Sequence, residues 1–600
     1  MKITEYVALW LAKNNIKYVF SVTGGGSAAL NDAISKTIGV EIVYCHNEQA
    51  AAIAAEAYFR FSGEIAVCLV TQGPGSTNTY TGVICAWMDS IPMIILSGQS
   101  FSNQMVGDSK VRQRGIQEFN NSHVVPQFVK YFKSLSKPED IILELNNLLI
   151  HSIKERGGPV WLEIPADIQN ISVDIDNTIT INNSIRESKK YNFQEKLINE
   201  LNVMISKSTR PLIHFGNGIR GSEAFQGAKD FIEKHKIPYI LTHNSLDLFE
   251  SKDPLNLGFS GLFGIRSANF ALEACDLYIS IGARLDFAQT GYETKQYAKN
   301  AFRVMVDIDE NEIAKNSHFL DSSFNCDSKD FFSKIEELKV QFLGIDSNWS
   351  KICQEWKVNY TPIKDQIFSS NSKVNAYRFI EELSTKLNKA NIVTDMGLSY
   401  QSTYQGIKIK SGIRLQTNTG FAPMGWGLPA SIGAAKCDPK TLTLCITGDG
   451  GIMMNIQELS TIRHHNLPIK IFLYFNKGYL TIKQTQESSF NSNYTGVDAD
   501  SGLSFPEFAK VFEGFGIESI EVQSNSEISG AVDWMLNDYS PKLCVLHMDL
   551  NHRIAPRIIP NKKSNTELRI KGLINQWPYL DEDLVEYEIS RTRSTKNQNG

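Results

Sequence analysis

Residues 441–478 read TLTLCITGDGGIMMNIQELSTIRHHNLPIKIFLYFNKG, and this stretch decides the architecture. Leu442–Thr447 is a short continuous apolar run that ends directly in Gly448-Asp449-Gly450-Gly451. A helical pattern follows, and a second apolar run, Ile469–Phe475, ends in Asn476-Lys477-Gly478. Apolar runs without polar alternation, separated by a helix, are strands of a parallel sheet covered on both faces. The glycines after the first strand let backbone N–H groups approach an anion, and the helix that starts there favours negative charge. Asp449 and Asn476 are 476 − 449 = 27 residues apart, the length of one helix plus one strand. Both therefore fall at the carboxyl edge of the same sheet. A carboxylate, an amide oxygen and a backbone carbonyl are hard oxygen ligands, suited to Mg²⁺ when diphosphate oxygens and water complete the shell. Taken singly, either side chain is an ordinary turn residue; the set with Gly448, Gly450 and Gly478 is more specific.

The same alternation extends outward along the chain. Further strands are expected at Ile65–Thr71, Met93–Ser97, Val160–Ile164, Leu212–Phe215, Leu277–Ile281, Val304–Ile308, Ile392–Thr394 and Leu543–Met548. This is α/β architecture throughout. Two weakly patterned stretches, Ser172–Lys190 and about Leu343–Ser372, read as connectors between blocks that are each large enough for one doubly wound sheet. The expected division is 1–172, 190–345 and 372–560, with 561–600 as a C-terminal tail whose last dozen residues are polar.

Composition narrows the function classes. A chain of 600 residues with 42% hydrophobic and 21% charged residues has the material for several cores. A net charge of −5 without a basic cluster argues against nucleic acid as a partner. No apolar stretch approaches a membrane span, and the N-terminus reads as an amphipathic helix. Nine cysteines lie far apart and mostly inside apolar runs, as in a protein with buried reduced thiols, so a cytoplasmic location is expected.

A second constellation lies near the N-terminus. His46-Asn47-Glu48-Gln49 follows the strand-like GVEIVYC and precedes an alanine-rich helix, AAAIAAEAYFR. A carboxylate at such a junction is expected to be partly desolvated and able to exchange a proton, although alone it would serve equally well at a helix N-terminus. TQGPGSTN (Thr71–Asn78) and WMDSIPMIILSGQ (Trp87–Gln99) follow.

Together these segments resemble the thiamine diphosphate enzymes, and their wording is similar to the acetolactate synthase branch of the pyruvate oxidase-type family. HNEQAAAIAAEAY, TQGPGSTN, GIQE (Gly115–Glu118), GPVWLEIPADIQ (Gly158–Gln169), GFAPMGWGLPASIGAA (Gly420–Ala435) and GDGGIMMNIQELSTIRHHNLPIK carry the match across all three blocks. The resemblance implies three doubly wound parallel-sheet domains: pyrimidine-binding, central FAD or nucleotide-type, and diphosphate-binding. It implies Glu48 as the proton relay to the pyrimidine and Gln117 as a polar group facing the reacting carbon. Pro74 and Asn78 are implied to line the pyrimidine pocket, with Met424 the apolar wedge. Gly448, Gly450, Gly451 and Tyr479 are implied to face the cofactor, and Asp449, Asn476 and the Gly478 carbonyl the metal. The reaction implied is decarboxylation of a 2-oxo acid such as pyruvate and transfer of the acyl carbanion equivalent to a carbonyl acceptor. A homodimer or homotetramer is also implied, with Glu48 of one chain facing Asp449 of another.

Four positions depart from the family pattern. In the central block, Gly216, Gly218, Gly264, Arg284 and Asp307 match flavin-binding segments, yet Phe287 and Ala288 stand where a second acid and an Arg are usual, so FAD is an open expectation. Thr485 stands where a Trp shapes the acceptor pocket, which leads one to expect room for an acceptor larger than pyruvate, and the wording NKGYLTIKQTQ resembles family members that join an acetyl group to a keto-sugar nucleotide. Thr23 replaces a proline in the first glycine loop. A simple decarboxylase and a catalytically silent paralogue are the other readings. The second is disfavoured because Glu48, Asp449 and Asn476 are all kept. No GxGxxG opens a βαβ unit, which disfavours a nicotinamide dehydrogenase.

Overall fold

All ten expected strands form, each within two residues of its expected bounds, and they belong to three six-stranded parallel sheets. The structure, a computed structural model, describes residues 1–174, 195–366, 373–550, 552–559, 561–564, 567–569 and 572–593. The first sheet contains β1 (Tyr18–Ser21), β2 (Glu41–Tyr44), β3 (Val67–Val70), β4 (Met93–Gln99), β5 (Tyr131–Ser134) and β6 (Pro159–Pro165), in the order β2-β1-β3-β4-β6-β5. The second contains β7 (Pro211–Phe215), β8 (Tyr239–Leu241), β9 (Asn256–Phe259), β10 (Leu277–Ile281), β11 (Phe302–Asp307) and β12 (Ser322–Asn325). Its order is β12-β11-β10-β7-β8-β9, the doubly wound arrangement of dinucleotide-binding folds. The third contains β13 (Ala390–Thr394), β14 (Ile413–Gln416), β15 (Thr443–Gly448), β16 (Ile469–Phe475), β17 (Glu518–Val522) and β18 (Lys542–His547), ordered β14-β13-β15-β16-β18-β17.

The first and third sheets belong to one compact unit and the central sheet to another. Within the first unit the longest shared surface joins two helices, Glu48–Ser62 and Gly427–Cys437. Each is the helix that follows the second strand of its sheet. The alanines of the first (Ala50, Ala51, Ala52, Ala54, Ala55, Ala57) are fully buried, and small side chains let helix backbones approach closely. At the crossing, a Cβ on Gly433 would lie 2.1 Å from the Ala54 carbonyl oxygen. Any larger residue there would push the helices apart. The helix Glu48–Ser62 starts with Asn47, whose side chain accepts from the Gln49 amide, and ends at Gly63 with φ 74°.

In the second unit the stretch expected as a connector near 343–372 is corrected over its described part. It forms a helix, Ser347–Asn359, with Trp349, Ile352, Cys353 and Trp356 buried on one face. Trp349 Nε1 donates to the Pro211 carbonyl at 2.9 Å, and Trp356 Nε1 to Glu588 Oε2 at 2.8 Å. Glu588 lies on the helix Glu582–Ser590. The stretch expected as a tail is thus structured at 572–593, because this helix covers the indole of Trp356. Residues 373–388, 401–413 and 552–559 also cluster with the central sheet. Most of the Ser172–Lys190 connector and the last seven residues lie outside the described residues.

Candidate functional site

The third sheet delivers Asp449 from β15 and Asn476 from β16 to one edge, as their spacing requires. Asp449 Oδ2 accepts the amides of Asn476 (3.2 Å) and Gly478 (3.1 Å), and its Oδ1 accepts the Gly450 amide at 2.9 Å. The carboxylate therefore clasps both strand-end loops at once. It is buried, and burial pushes its pKa up to about 7 against the opposing pull of those amides. A buried carboxylate without a cation at its side is a demanding arrangement. Beside it the Asn476 Oδ1 is shielded from solvent and accepts no hydrogen bond. The Gly478 carbonyl accepts once, from Leu480 at 3.1 Å, which leaves a lone pair. Among the described residues no group of three or more His, Cys, Asp or Glu could hold a metal unaided. These oxygens suit a hard cation whose remaining ligands come with a bound diphosphate.

The surroundings of that edge are shaped by absent side chains. A Cβ on Gly450 would lie 2.3 Å from the Tyr479 ring, and one on Gly451 2.5 Å from Asp395 Oδ2. Gly448 faces open space. Asp395, which directly follows β13, was not expected as a site residue. It is buried and accepts the amides of Met396 (2.8 Å) and Gly425 (3.0 Å) and the Thr447 hydroxyl (3.1 Å). Burial holds its pKa up at about 6. The Gly425 carbonyl in turn accepts from Asn455 Nδ2 at 2.8 Å. Met424, part-exposed at 37%, is carried on a turn pinned from both sides.

The first sheet assembles the second group. Asn47 already caps the helix, so the Glu48 carboxylate is released from that duty. Its Oε2 accepts from Asn78 Nδ2 at 2.9 Å, and its Oε1 stands 3.6 Å from where a Gly75 Cβ would be. Pro74 opens the short helix Pro74–Asn78. Gln117 has φ 57°, and its carbonyl would lie 2.0 Å from a Cβ on Gly73, so GIQE and TQGPGSTN lie against each other. Glu118 anchors the loop by accepting the Val106 amide at 3.1 Å. Glu48, Pro74, Asn78 and Gln117 are brought together in this way. The two groups meet through backbone: Glu458, on the turn after the helix that begins at Asp449, accepts the amides of His46 and Asn47.

Three family models match the chain. Residues 1–124 match the model of the thiamine pyrophosphate enzyme N-terminal TPP binding domain, 198–335 the central domain and 395–547 the C-terminal TPP binding domain. The acetolactate synthase large subunit of Cyanidium caldarium is 30% identical, across 94% of this chain and 96% of its own length. The chain belongs to the thiamine pyrophosphate enzymes, on their acetolactate synthase-like branch. Acetolactate synthase isozyme 2 large subunit of Escherichia coli K12 is 29% identical over 94% of the chain and 98% of its own length. A probable acetolactate synthase large subunit of Methanocaldococcus jannaschii is 29% identical over 92% of each. By class this family member is a thiamine diphosphate-dependent carboligase.

The central sheet tells a different story for FAD. The amides of Gly216, Gly218 and Gly264 donate to the carbonyls of Ile281, Gly282 and Gly261 at 2.9, 3.0 and 3.0 Å. A Cβ on Gly216 would lie 1.9 Å from the Gly282 oxygen, so this glycine serves a backbone contact. Arg284 is paired with Asp286 at 2.9 Å, and Asp307 Oδ1 accepts the Asp309 amide at 3.0 Å. The residues that matched flavin-binding segments are engaged with their own chain in these ways. Thr485 sits exposed on the helix Leu480–Ser489, its hydroxyl donating to the Thr481 carbonyl at 3.0 Å. Of the nearby aromatic residues, Tyr479 packs over Gly450 and Phe490 is 60% exposed.

Proposed function

We propose that the chain decarboxylates pyruvate and joins the resulting two-carbon acyl unit to the carbonyl of a second 2-oxo acid, with thiamine diphosphate and a Mg²⁺-type ion as cofactors. The bare buried Asn476 Oδ1 beside the clasped Asp449 carboxylate carries this reading, because these are hard oxygens of the kind a Mg²⁺-type ion takes. When bound, thiamine diphosphate supplies a nucleophilic carbon and an electron sink for loss of carbon dioxide.

The chain's own residues do the rest. Asp449, Asn476 and the Gly478 carbonyl hold the ion, and Gly448, Gly450 and Gly451 leave their amides approachable to the diphosphate. Glu48 holds and returns a proton, oriented by Asn78. Met424 and the part-exposed Phe421, Met88 and Met454 give the site an apolar rim that excludes water. Gln117 offers an amide at the opening. The acceptor follows the product in the relatives' names, which favours a 2-oxo acid over the larger acceptor expected from Thr485. No step is assigned to FAD.

The two groups are completed, on this reading, by a second copy, so that Glu48 of one protomer works with Asp449 of its partner in a dimer or a tetramer. The apolar rim supports this, since exposed clusters of this kind mark interaction surfaces. Among the described residues no helix is long and apolar enough to cross a membrane. Free cysteines, eight of nine buried, support a reducing compartment such as the cytoplasm. Incubating the protein with pyruvate, thiamine diphosphate and Mg²⁺ and identifying products by NMR tests the proposal. Acetolactate is expected; pyruvate left intact in the presence of both cofactors rejects it.

A further inference from the structure

We infer that Glu458 is a positioning residue that fixes the direction of Glu48, an inference that rests on Glu48 being the proton relay. Glu458 is fully buried, at 0% exposure, on the turn Ile456–Glu458. One carboxylate oxygen, Oε1, accepts two consecutive amides, His46 at 3.0 Å and Asn47 at 3.1 Å. The other, Oε2, accepts the Thr461 hydroxyl at 2.8 Å, and Thr461 Oγ1 also lies 3.5 Å from the Tyr44 carbonyl at the end of β2. Among the described residues no Lys or Arg pairs with it. Burying a carboxylate is costly, and here the cost is offset by these hydrogen bonds and by the nearby His46.

Capping is not the purpose of these bonds, because the helix Glu48–Ser62 already has its cap in Asn47. What the two bonds to Oε1 do is lock the peptide planes of the two residues immediately before Glu48. With Asn78 holding the carboxylate from the other side at 2.9 Å, the relay is constrained at its backbone and at its tip. The grip comes from the chain segment that leaves the Asp449 turn, so the metal-binding edge of one sheet sets the proton-relay edge of the other. A carboxylate displaced by about 1 Å loses on the order of 100-fold in a step that depends on alignment.

The test compares wild type with Glu458→Ala, Glu458→Gln and Glu48→Gln in the full chain. Three quantities are read: deuterium uptake of the amides at 44–50 without cofactor, affinity for thiamine diphosphate with Mg²⁺, and exchange of the C2 proton of bound cofactor. Glu458→Ala is expected to raise deuterium uptake at 44–50, leave affinity within about threefold and slow C2 exchange by about 10- to 100-fold. Glu458→Gln keeps an acceptor oxygen and is expected to stay within about threefold of wild type, which separates geometry from charge. Wild-type C2 exchange in Glu458→Ala while Glu48→Gln is slow overturns the inference and leaves the relay assignment standing. Equal slowing by Ala and Gln also overturns it, since charge would then be the cause. Wild-type exchange in Glu48→Gln instead removes the relay itself, and the inference with it. If Glu458→Ala is insoluble, Thr461→Val removes the donor that orients Oε2; slowing of about 10-fold supports the inference and exchange within about threefold of wild type overturns it.

Discussion

The first and third sheets share one strand order and differ in what they place at the same edge. In each, the helix after the second strand packs on its counterpart, Glu48–Ser62 against Gly427–Cys437. In each, the third strand ends in a glycine-rich turn. From β3 that turn is Gly73-Pro74-Gly75, with no acid; from β15 it is Gly448-Asp449-Gly450-Gly451. After the second strand the assignment reverses: β2 leads to Glu48 and β14 leads to Met424. Topology thus fixes where chemistry can sit, and single residues decide which chemistry. One sheet sets an acid beside a bare amide oxygen, the oxygen set proposed for a cation, and the other sets an acid beside a donor amide, the arrangement proposed for a proton relay.

The largest expected effect separates the two acids. Glu48→Gln is expected to bind thiamine diphosphate normally and slow C2 proton exchange by about 10²–10⁴-fold, as for loss of acid–base catalysis. Exchange into heavy water, followed by NMR after acid quench, measures it. Asp449→Ala is expected to do the converse, weakening cofactor affinity by about 100-fold or more while the fold stays soluble. Tryptophan fluorescence titration with Mg²⁺ present reads that loss. If both variants lose affinity equally, the division of labour between the sheets is wrong.

A smaller effect concerns stability. The pKa of Asp449, about 7, lies above that of the unfolded chain, so its contribution is present at low pH and lost as pH rises through 7. The buried His214 and His243 pull the other way, with folded values near 3 and 4 whose contribution is lost on acidification. Asn loses an acceptor oxygen at every pH, so the change with pH in the difference between wild type and Asp449→Asn isolates the acid. Without cofactor, that difference is expected to move in favour of Asn by about 2–4 °C in melting temperature between pH 5 and pH 8. Calorimetry at the two pH values checks this, and saturating Mg²⁺ with thiamine diphosphate should cancel the shift. Smallest of all, Thr485→Trp is expected to shift product ratios only a few-fold towards small acceptors, measured by competition between pyruvate and a bulkier ketone. The central sheet supplies a contrast of its own: a fresh preparation is expected to be colourless and to take up no added FAD, read from its absorbance.

The sequence disclosed the buried strands because continuous apolar runs such as Ile469–Phe475 have no other use in an α/β chain. Edge strands escaped it, Ser322–Asn325 being polar and Glu518–Val522 largely solvent-facing, and so did two short interior strands, Tyr18–Ser21, which sits in the stretch read as an N-terminal helix, and Tyr239–Leu241. The helix Ser347–Asn359 was hidden for another reason. Its four buried residues are spaced helically, but Ser, Lys, Gln and Glu between them dilute the pattern. The meeting of Asp449 and Asn476 at one edge was legible as a distance along the chain. Glu458 was not, since QELST reads as the polar side of a helix and its partners lie more than 400 residues away. Asp395 had one usable signal, an acid directly after a buried strand at a carboxyl edge.

Mixing the two inactive variants tests the central claim most directly. If Glu48 of one protomer serves Asp449 of its partner, a dimer of one Glu48→Gln chain and one Asp449→Ala chain holds one site with both defects and one with none. After subunits exchange, the mixture should regain about a quarter of wild-type pyruvate consumption, half of the dimers being mixed with half of their sites intact. A mixture that has demonstrably exchanged subunits and stays as inactive as its parents would show that each site is built within a single chain, contradicting the account.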